Sequence, residues 1–193
     1  QPGTMDAWTS VRHLEFLERS AAFLATDPFR RVGIMAYAMS EDERTSWAYS
    51  LYATGLTFFD GSQNVYQTFG DNRAGTQIGD NGGVGFASRV TRLLHYDDLA
   101  DGRYLTHVGT GFIYGQTGGS GSSGPGAKTY RSLVFPEFFV GDPAGFGVTA
   151  AGTPRVIDSG RILADDFWMT HVEFAGNAGP AHFQTEAMIE AAE

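Results

Sequence analysis

The stretch FWMTHVEFAGNAGPAHFQTEAMIEA, residues 167–191, decides the predicted fold of this chain. Apolar and polar side chains alternate in both of its halves, which is the pattern of β-strands with one apolar and one polar side. Between the halves, Asn177-Ala178-Gly179-Pro180 is a turn signal. The stretch therefore predicts an antiparallel hairpin. Its apolar positions are Trp168, Val172, Phe174, Phe183, Ala187 and Ile189, and its polar ones are His171, Glu173, His182, Gln184, Glu186 and Glu190.

Similar alternation recurs upstream and predicts an all-β chain. A helical spacing of apolar residues occurs only between Val11 and Leu24, before Pro28. After that point the apolar residues follow a period of two, as strands require. The further predicted strands are Val32–Met39, Arg44–Ala53, Val84–Leu93, Arg103–Tyr114, Thr129–Val140 with a break at Pro136, and a short extended piece near Val156 and Ile157.

The connections between these strands alternate in length. Short turns at 40–43 and 97–102 alternate with long loops rich in Gly, Ser and Asn at 54–83 and 115–128. Outer-membrane β-barrels have short turns at one end and long loops at the other. We therefore interpret residues 1–193 as one partial barrel domain. Its first part, 1–31, is predicted to be an irregular or helical segment that enters the lumen, and 32–193 to be antiparallel strands.

Composition and charge exclude several classes of protein. Of the 193 residues, 42% are hydrophobic and only 18% charged, and 26 are Gly. The net charge of −9 argues against a nucleic-acid partner, because phosphate binding needs a basic face. The absence of cysteine excludes disulfides and zinc-thiolate sites. No run of about 18 apolar residues occurs, which excludes an α-helical membrane span.

Aromatic residues lie near the ends of the predicted strands, on their apolar side. Barrels of the outer membrane place aromatic girdles at both interfaces of the bilayer. This placement favours a transmembrane β-barrel, in which the apolar sides face lipid. The residues concerned are Trp47, Tyr104, Phe112, Tyr114, Trp168 and Phe174.

Short motifs then occur in a fixed order along most of the chain. Phe16-Leu17-Glu18-Arg19-Ser20 is similar to the Phe-Met-Glu-Arg-Ser motif of the phosphate-selective porin O and P family. Ala181 and Ala187 stand where that family has aromatic residues, and Gln1 where it has a basic one. Other segments that resemble the family are Gln1-Pro2, Met5-Asp6, Thr9-Ser10, Arg31-Val32-Gly33-Ile34, Arg131, Pro136-Glu137-Phe138, Val156-Ile157-Asp158-Ser159-Gly160, Glu173, Gly179-Pro180 and Gln184-Thr185-Glu186.

The resemblance implies a barrel of sixteen strands in the bacterial outer membrane, forming homotrimers with a water-filled pore for anions. About 7–9 of those strands are expected here, so that the chain is predicted to be an internal fragment. Membrane lipid and small hydrophilic solutes, including anions such as phosphate, are the expected partners. No enzymatic activity and no cofactor are expected.

The predicted site is the polar side of the strands, where charge and width would set the selectivity of the pore. Glu18 and Arg19 are predicted to form a structural ion pair in the entry segment, and no residue is assigned to catalysis or to a metal. With 13 basic against 22 acidic residues, a general porin is the safer interpretation than a phosphate-selective one. The predicted pore-lining residues are Arg89, Thr91, His107, Glu173, His182, Gln184 and Glu186.

The alternative is a secreted soluble β-sandwich that binds carbohydrate or acts as a glycosidase. In that case Glu173 and Glu186 would be a candidate acid/base pair, and His171 and His182 candidate metal ligands. The two hypotheses differ in where the large apolar side chains lie, since a sandwich buries them and a barrel exposes them to lipid. The discriminating residues are Trp47, Tyr49, Leu51, Val108, Phe112, Trp168 and Phe183.

Overall fold

The computed structural model describes residues 2–9, 20, 22, 31–57, 83–99, 102–117, 129–130, 133–134, 157–159 and 162–193. Within these ranges one short helix and ten strands occur. The elements are α1 (Met5–Trp8), β1 (Arg31–Met39), β2 (Thr45–Thr57), β3 (Val84–Tyr96), β4 (Tyr104–Gln116), β5 (Thr129–Tyr130), β6 (Leu133–Val134), β7 (Ile157–Asp158), β8 (Ile162–Leu163), β9 (Asp166–Ala178) and β10 (Ala181–Ala192).

Six of the strands form one antiparallel sheet in the order β1-β2-β3-β4-β9-β10. The prediction of an all-β, antiparallel fold is confirmed. Among the described residues the sheet contains six strands, with β1 and β10 at its edges, and the sequence predicted 7–9. The other four described strands, β5 to β8, have two residues each and pair outside this sheet.

Several strands are longer than the alternation of side chains indicated. β2 continues to Thr57, so the first residues of the predicted loop 54–83 belong to a strand, and β4 takes two residues from the predicted loop 115–128. Arg31, assigned to the entry segment, is the first residue of β1 and pairs with Thr57 across a register shift. Strand pairing uses backbone groups, so it continues where a neighbour offers partners, whatever the side chains.

Residues 117–165 separate β4 from β9 along the chain, and we call this segment the excursion. Within it β5 pairs with β8 and β6 pairs with β7, both antiparallel, so that the two short ladders are nested. Of the predicted strand Thr129–Val140, the described residues form β5 and β6, and the rest of it lies outside the described residues. The piece predicted near Ile157 is β7.

The three short connections of the sheet lie at the same end of it. β1–β2, β3–β4 and β9–β10 are each joined there, and an ion pair of 3.3 Å between Arg44 and Asp98 links the first two turns. The third is a two-residue turn in which Gly179 has φ +64°, a value that favours glycine. The connections β2–β3 and β4–β9 lie at the opposite end, as antiparallel order requires.

The sheet has two faces of different character. We call inner face the one that carries Arg89 and Glu173, and outer face the one that carries Trp47 and Val172. Near the end with the long connections, the inner face holds an apolar cluster to which the excursion contributes Tyr130 and Ala164. The sheet residues of this cluster are Tyr52, Ala87, Ile113, Phe167 and Met169.

The described residues 2–9 also lie on the inner face. Thr4 caps α1 by accepting a hydrogen bond from Ala7 N at 3.3 Å, and Pro2, Thr4 and Asp6 are buried. Most of the predicted helical segment Val11–Leu24, including Glu18 and Arg19, lies outside the described residues. Among the described helices, none is long and apolar enough to cross a membrane.

Candidate functional site

The strand register brings the predicted pore-lining residues onto the inner face. Across β3, β4, β9 and β10, one row of paired residues runs Thr91, Gly109, Glu173 and Glu186. The adjacent row runs Arg89, Gly111, His171 and Met188. His107 pairs with Ala175, and Gln184 and His182 continue the inner side of β10. All seven residues predicted to line a pore therefore share one face.

Arg89 and Glu173 form a bidentate ion pair at the centre of this face. Arg89 Nη2 donates to Glu173 Oε1 at 2.6 Å, and Arg89 Nε donates to Oε2 at 3.2 Å. The Glu173 side chain is fully buried and that of Arg89 is 12% exposed. A bidentate ion pair between a guanidinium and a carboxylate is among the stronger polar contacts in proteins. We call this pair and the two histidines beside it the inner cluster.

The two histidines of the inner cluster approach the same carboxylate. His107 Nε2 lies at hydrogen-bond distance, 2.9 Å, from Glu173 Oε1. His171 Nε2 lies 3.6 Å from Oε2, beyond hydrogen-bond distance, and neither ring nitrogen of His171 has a hydrogen-bond partner among the described residues. His171 is almost completely buried. Glu173 therefore accepts from one arginine and one histidine, and His171 packs against it.

Glycines on β4 make the room that the inner cluster occupies. A Cβ on Gly109 would lie 2.3 Å from Glu173 Oε1, and one on Gly111 would lie 2.4 Å from His171 Cε1. Such distances are far below van der Waals contact, so a side chain at either position would displace the cluster. In the sequence these glycines alternate with Val108, Thr110 and Phe112, but the sequence gives no sign of what fills the space above them.

The short helix α1 covers the inner cluster. The ring of Trp8 lies over the Arg89 guanidinium, at 5.6 Å from its centroid to Cζ. Met5 N donates a short hydrogen bond to Glu186 Oε1, and Asp6 Oδ2 accepts one from Ser20 N at 2.9 Å. The contacts of Trp8 and Met5 were not predicted, because the sequence does not show which strand an irregular segment covers.

The remaining predicted residues lie around this cluster. Thr91 is buried and its hydroxyl lies 2.7 Å from that of Ser46. Glu186 is half-buried, and His182 and Gln184 are exposed on the edge strand β10. Glu190, further along β10, accepts a short hydrogen bond from the Tyr130 hydroxyl.

The residues that the alternative hypothesis names for an acid/base pair and for a metal site lie on the inner face of β9 and β10. Glu173 and Glu186 are directly paired across β9 and β10, but both carboxylates accept hydrogen bonds from the chain itself. Among the described residues no group of three or more His, Asp or Glu side chains is placed to hold a metal ion. In the inner cluster, the guanidinium of Arg89 is bound to the carboxylate of Glu173 by two hydrogen bonds.

The outer face has the opposite composition. Val172 is 59% exposed, Leu51 60% and Phe183 58%. On β9 the outer positions from Trp168 to Ala178 carry no charged side chain, and the same holds on β4 between Tyr104 and Tyr114. Of the discriminating residues, Trp47, Tyr49 and Phe112 are also exposed, while Val108 and Trp168 are half-buried.

Comparison of the chain with protein-family models, with curated proteins and with solved structures finds no match.

Proposed function

We propose that this chain forms part of the wall of a transmembrane β-barrel that passes small hydrophilic solutes by passive diffusion. One observation carries the proposal. Large apolar side chains such as Leu51, Val172 and Phe183 lie uncovered on the outer face, whereas arginine, glutamate and histidine lie on the inner face. A water-soluble domain exposes no large contiguous apolar surface without a partner, but a bilayer solvates such a surface.

The dimensions of the outer face support a bilayer as its solvent. Trp168 and Ala178 are ten residues apart on β9, which corresponds to about 33 Å along the strand. With a strand tilt of about 40°, this run covers roughly 25 Å, the height of the apolar band of outer-membrane barrels. Tyr114 and Trp168, which pair with each other, lie at one end of the band and Tyr104 lies at the other. Arg92 of β3 lies on the same face, where it pairs with Thr45 at the start of β2 and with Val108 of β4.

The lengths of the connections indicate which end of the sheet faces the periplasm. The three short turns share one end of the sheet and the long connections share the other. In outer-membrane barrels the short turns face the periplasm and the long loops face outside. We therefore infer that the Arg44–Asp98 end is periplasmic and that the bacterial outer membrane is the location of the protein.

The alternative soluble β-sandwich requires a second layer over the apolar face. Its core would contain Leu51, Phe112 and Phe183, and each of these side chains is exposed. The described excursion and α1 instead pack on the inner face, which holds the polar residues. This placement favours the barrel over the carbohydrate-binding or glycosidase hypothesis. Trimer formation and selectivity for phosphate rest on the family resemblance alone.

Fractionation and reconstitution test the proposal. We expect the full-length protein to sediment with the outer membrane, to require detergent for extraction, and to produce stepwise conductance in a planar lipid bilayer. The same preparation, boiled to remove its β-structure, is the control and should produce no steps. Recovery of folded protein in buffer without detergent, or a folded protein that leaves the bilayer silent, would contradict the proposal.

A further inference from the structure

The outer face carries a positive charge where its apolar surface meets a turn. Arg92 pairs with Thr45, the first residue of β2, and the next amide, Leu93 N, donates to Arg44 O at 2.7 Å. The β1–β2 turn therefore adjoins Arg92 on one side. On the other side its partner is Val108 of β4, within the uncharged outer face of that strand. Arg92 thus lies at the boundary between the apolar surface and the turn.

Arg92 has no direct polar contact in the part of the chain that the structure describes. Its side chain is exposed and forms neither a hydrogen bond nor an ion pair there, whereas Arg44 is paired with Asp98 at 3.3 Å. The closest carboxylate that senses Arg92 is that of Asp42. The pKa of Asp42 is lowered most by its hydrogen bond from Ser40 and least by the charge of Arg92, which acts on it only through space. On a surface that meets lipid, such a guanidinium requires an anion from outside the protein.

The turn beyond Arg92 presents the opposite charge. Glu41, Asp42 and Glu43 are consecutive in it, and all three are exposed. From the apolar surface towards the turn, the protein therefore offers the ring of Trp47, then a guanidinium, and then carboxylates. A zwitterionic phospholipid has the matching order, since its acyl chains are followed by a phosphate and the phosphate by an amine. A phospholipid without an amine matches only the first two.

We propose that this corner of the outer face is a binding site for a zwitterionic phospholipid with an amine headgroup, such as phosphatidylethanolamine. The Arg92 guanidinium donates to the lipid phosphate, a pairing that its donor geometry favours. The carboxylates of the β1–β2 turn attract the amine. The inference rests on the proposed membrane function and assigns this lipid to the leaflet on the side of the short turns.

Quenching of tryptophan fluorescence by brominated lipids tests the site. Trp47 is 39% exposed on the outer face and lies two residues from Thr45, the partner of Arg92. The full-length protein is folded into phosphatidylglycerol vesicles that contain an increasing share of one brominated lipid. The contribution of Trp47 is the difference from a Trp47→Phe variant, and brominated phosphatidylglycerol is the reference.

Two brominated lipids address the two halves of the site separately. We expect phosphatidylethanolamine to bind beside Trp47 about two- to fivefold more strongly than phosphatidylglycerol, the range of one exposed ion pair. Diacylglycerol, which has no phosphate, should bind more weakly than phosphatidylglycerol by a similar factor.

Substitutions assign each preference to its residues. In Arg92→Gln, diacylglycerol should compete equally with phosphatidylglycerol, and Arg92→Lys, which keeps the charge, should retain most of the discrimination. Glu41→Gln combined with Glu43→Gln should reduce the preference for phosphatidylethanolamine towards one. Arg103→Gln makes the same change as Arg92→Gln in the β3–β4 turn and should leave both preferences unaltered. The different mobility of unheated and heated samples on gels shows that each variant is folded.

The outcomes separate this inference from the proposed function. Equal quenching of Trp47 by all the brominated lipids, or a preference for phosphate that survives Arg92→Gln, would overturn the inference and leave the membrane function intact. A folded protein whose Trp47 no brominated lipid quenches would instead contradict the proposed function. Preferences that disappear in the named variants and persist in Arg103→Gln support both.

Discussion

At the scale of single residues, the inner cluster depends on positions that have no side chain. Gly111 is buried beneath His171, and a Cβ there would also lie 2.7 Å from the backbone oxygen of Ser88. A backbone atom cannot rotate away, so the strain must be taken up by the sheet itself. The sequence showed glycine opposite Phe112 on β4, but the reason for it lies on β9.

We expect Gly111→Ala to lower the free energy of unfolding by about 1–3 kcal/mol, the usual cost of overpacking. Gly176→Ala is the matched control, because the nearest atom to its Cβ, Leu105 O, lies at an ordinary 3.5 Å. That substitution should change stability by no more than about 0.5 kcal/mol. Urea unfolding in phospholipid vesicles, followed by tryptophan fluorescence, measures both. Equal stabilities of the two variants would mean that the space above Gly111 is not filled as described.

At the scale of elements, the β1–β2 turn is stabilised by hydrogen bonds to the carboxylate of Asp42. The Ser40 hydroxyl and Arg44 N both donate to Asp42 Oδ1, the latter at 3.1 Å. These hydrogen bonds, the first being the larger cause, hold the pKa of Asp42 below its ordinary value. A lowered pKa in the folded state means that the stabilisation is present above the unfolded pKa of about 3.9 and is lost as the pH falls further.

We therefore expect hydrogen exchange at the Arg44 amide to lose protection as the pH is lowered through this range, after correction for the intrinsic rate. Asp42→Asn keeps an acceptor but has no titrating charge, so its protection should be lower at neutral pH and independent of pH. The amide of Ser40, which donates to Thr45 O at 2.8 Å, reports on the turn as a whole. Protection at Arg44 that stays constant with pH in the wild type would contradict this account.

The strand boundaries show how much of the fold could be predicted from sequence patterns. Period-two alternation located the long strands β2, β3, β4, β9 and β10, because each has one apolar side and one polar or small side. It ended β2 too early, since Thr54–Thr57 belong to the strand although their sequence resembles a loop.

At the scale of the whole molecule, the sequence predicted only which side of its strand each residue of the candidate site occupies. Alternation placed Arg89, His107 and Glu173 on one side of their strands. Their contacts depend on register between strands, and the role of Trp8 depends on where the entry segment lies. His171, buried beside Glu173, was assigned to the polar side of β9 but not to the site. Burial of this kind follows from the segments that cover the sheet, which no strand pattern encodes.

The two faces of the sheet lead to opposite expectations for an added charge. Val172 lies in the middle of the uncharged outer face of β9, and Gln184 is exposed on the inner face of β10. If lipid covers the outer face, Val172→Arg should reduce the free energy of unfolding in vesicles by about 2–4 kcal/mol, the cost of arginine at the bilayer midplane. Gln184→Arg adds the same charge to the polar side and should leave folding nearly unchanged. In water an exposed valine tolerates arginine, so equal stability of the two variants would mean that the outer face meets solvent and that the chain is not part of a membrane barrel.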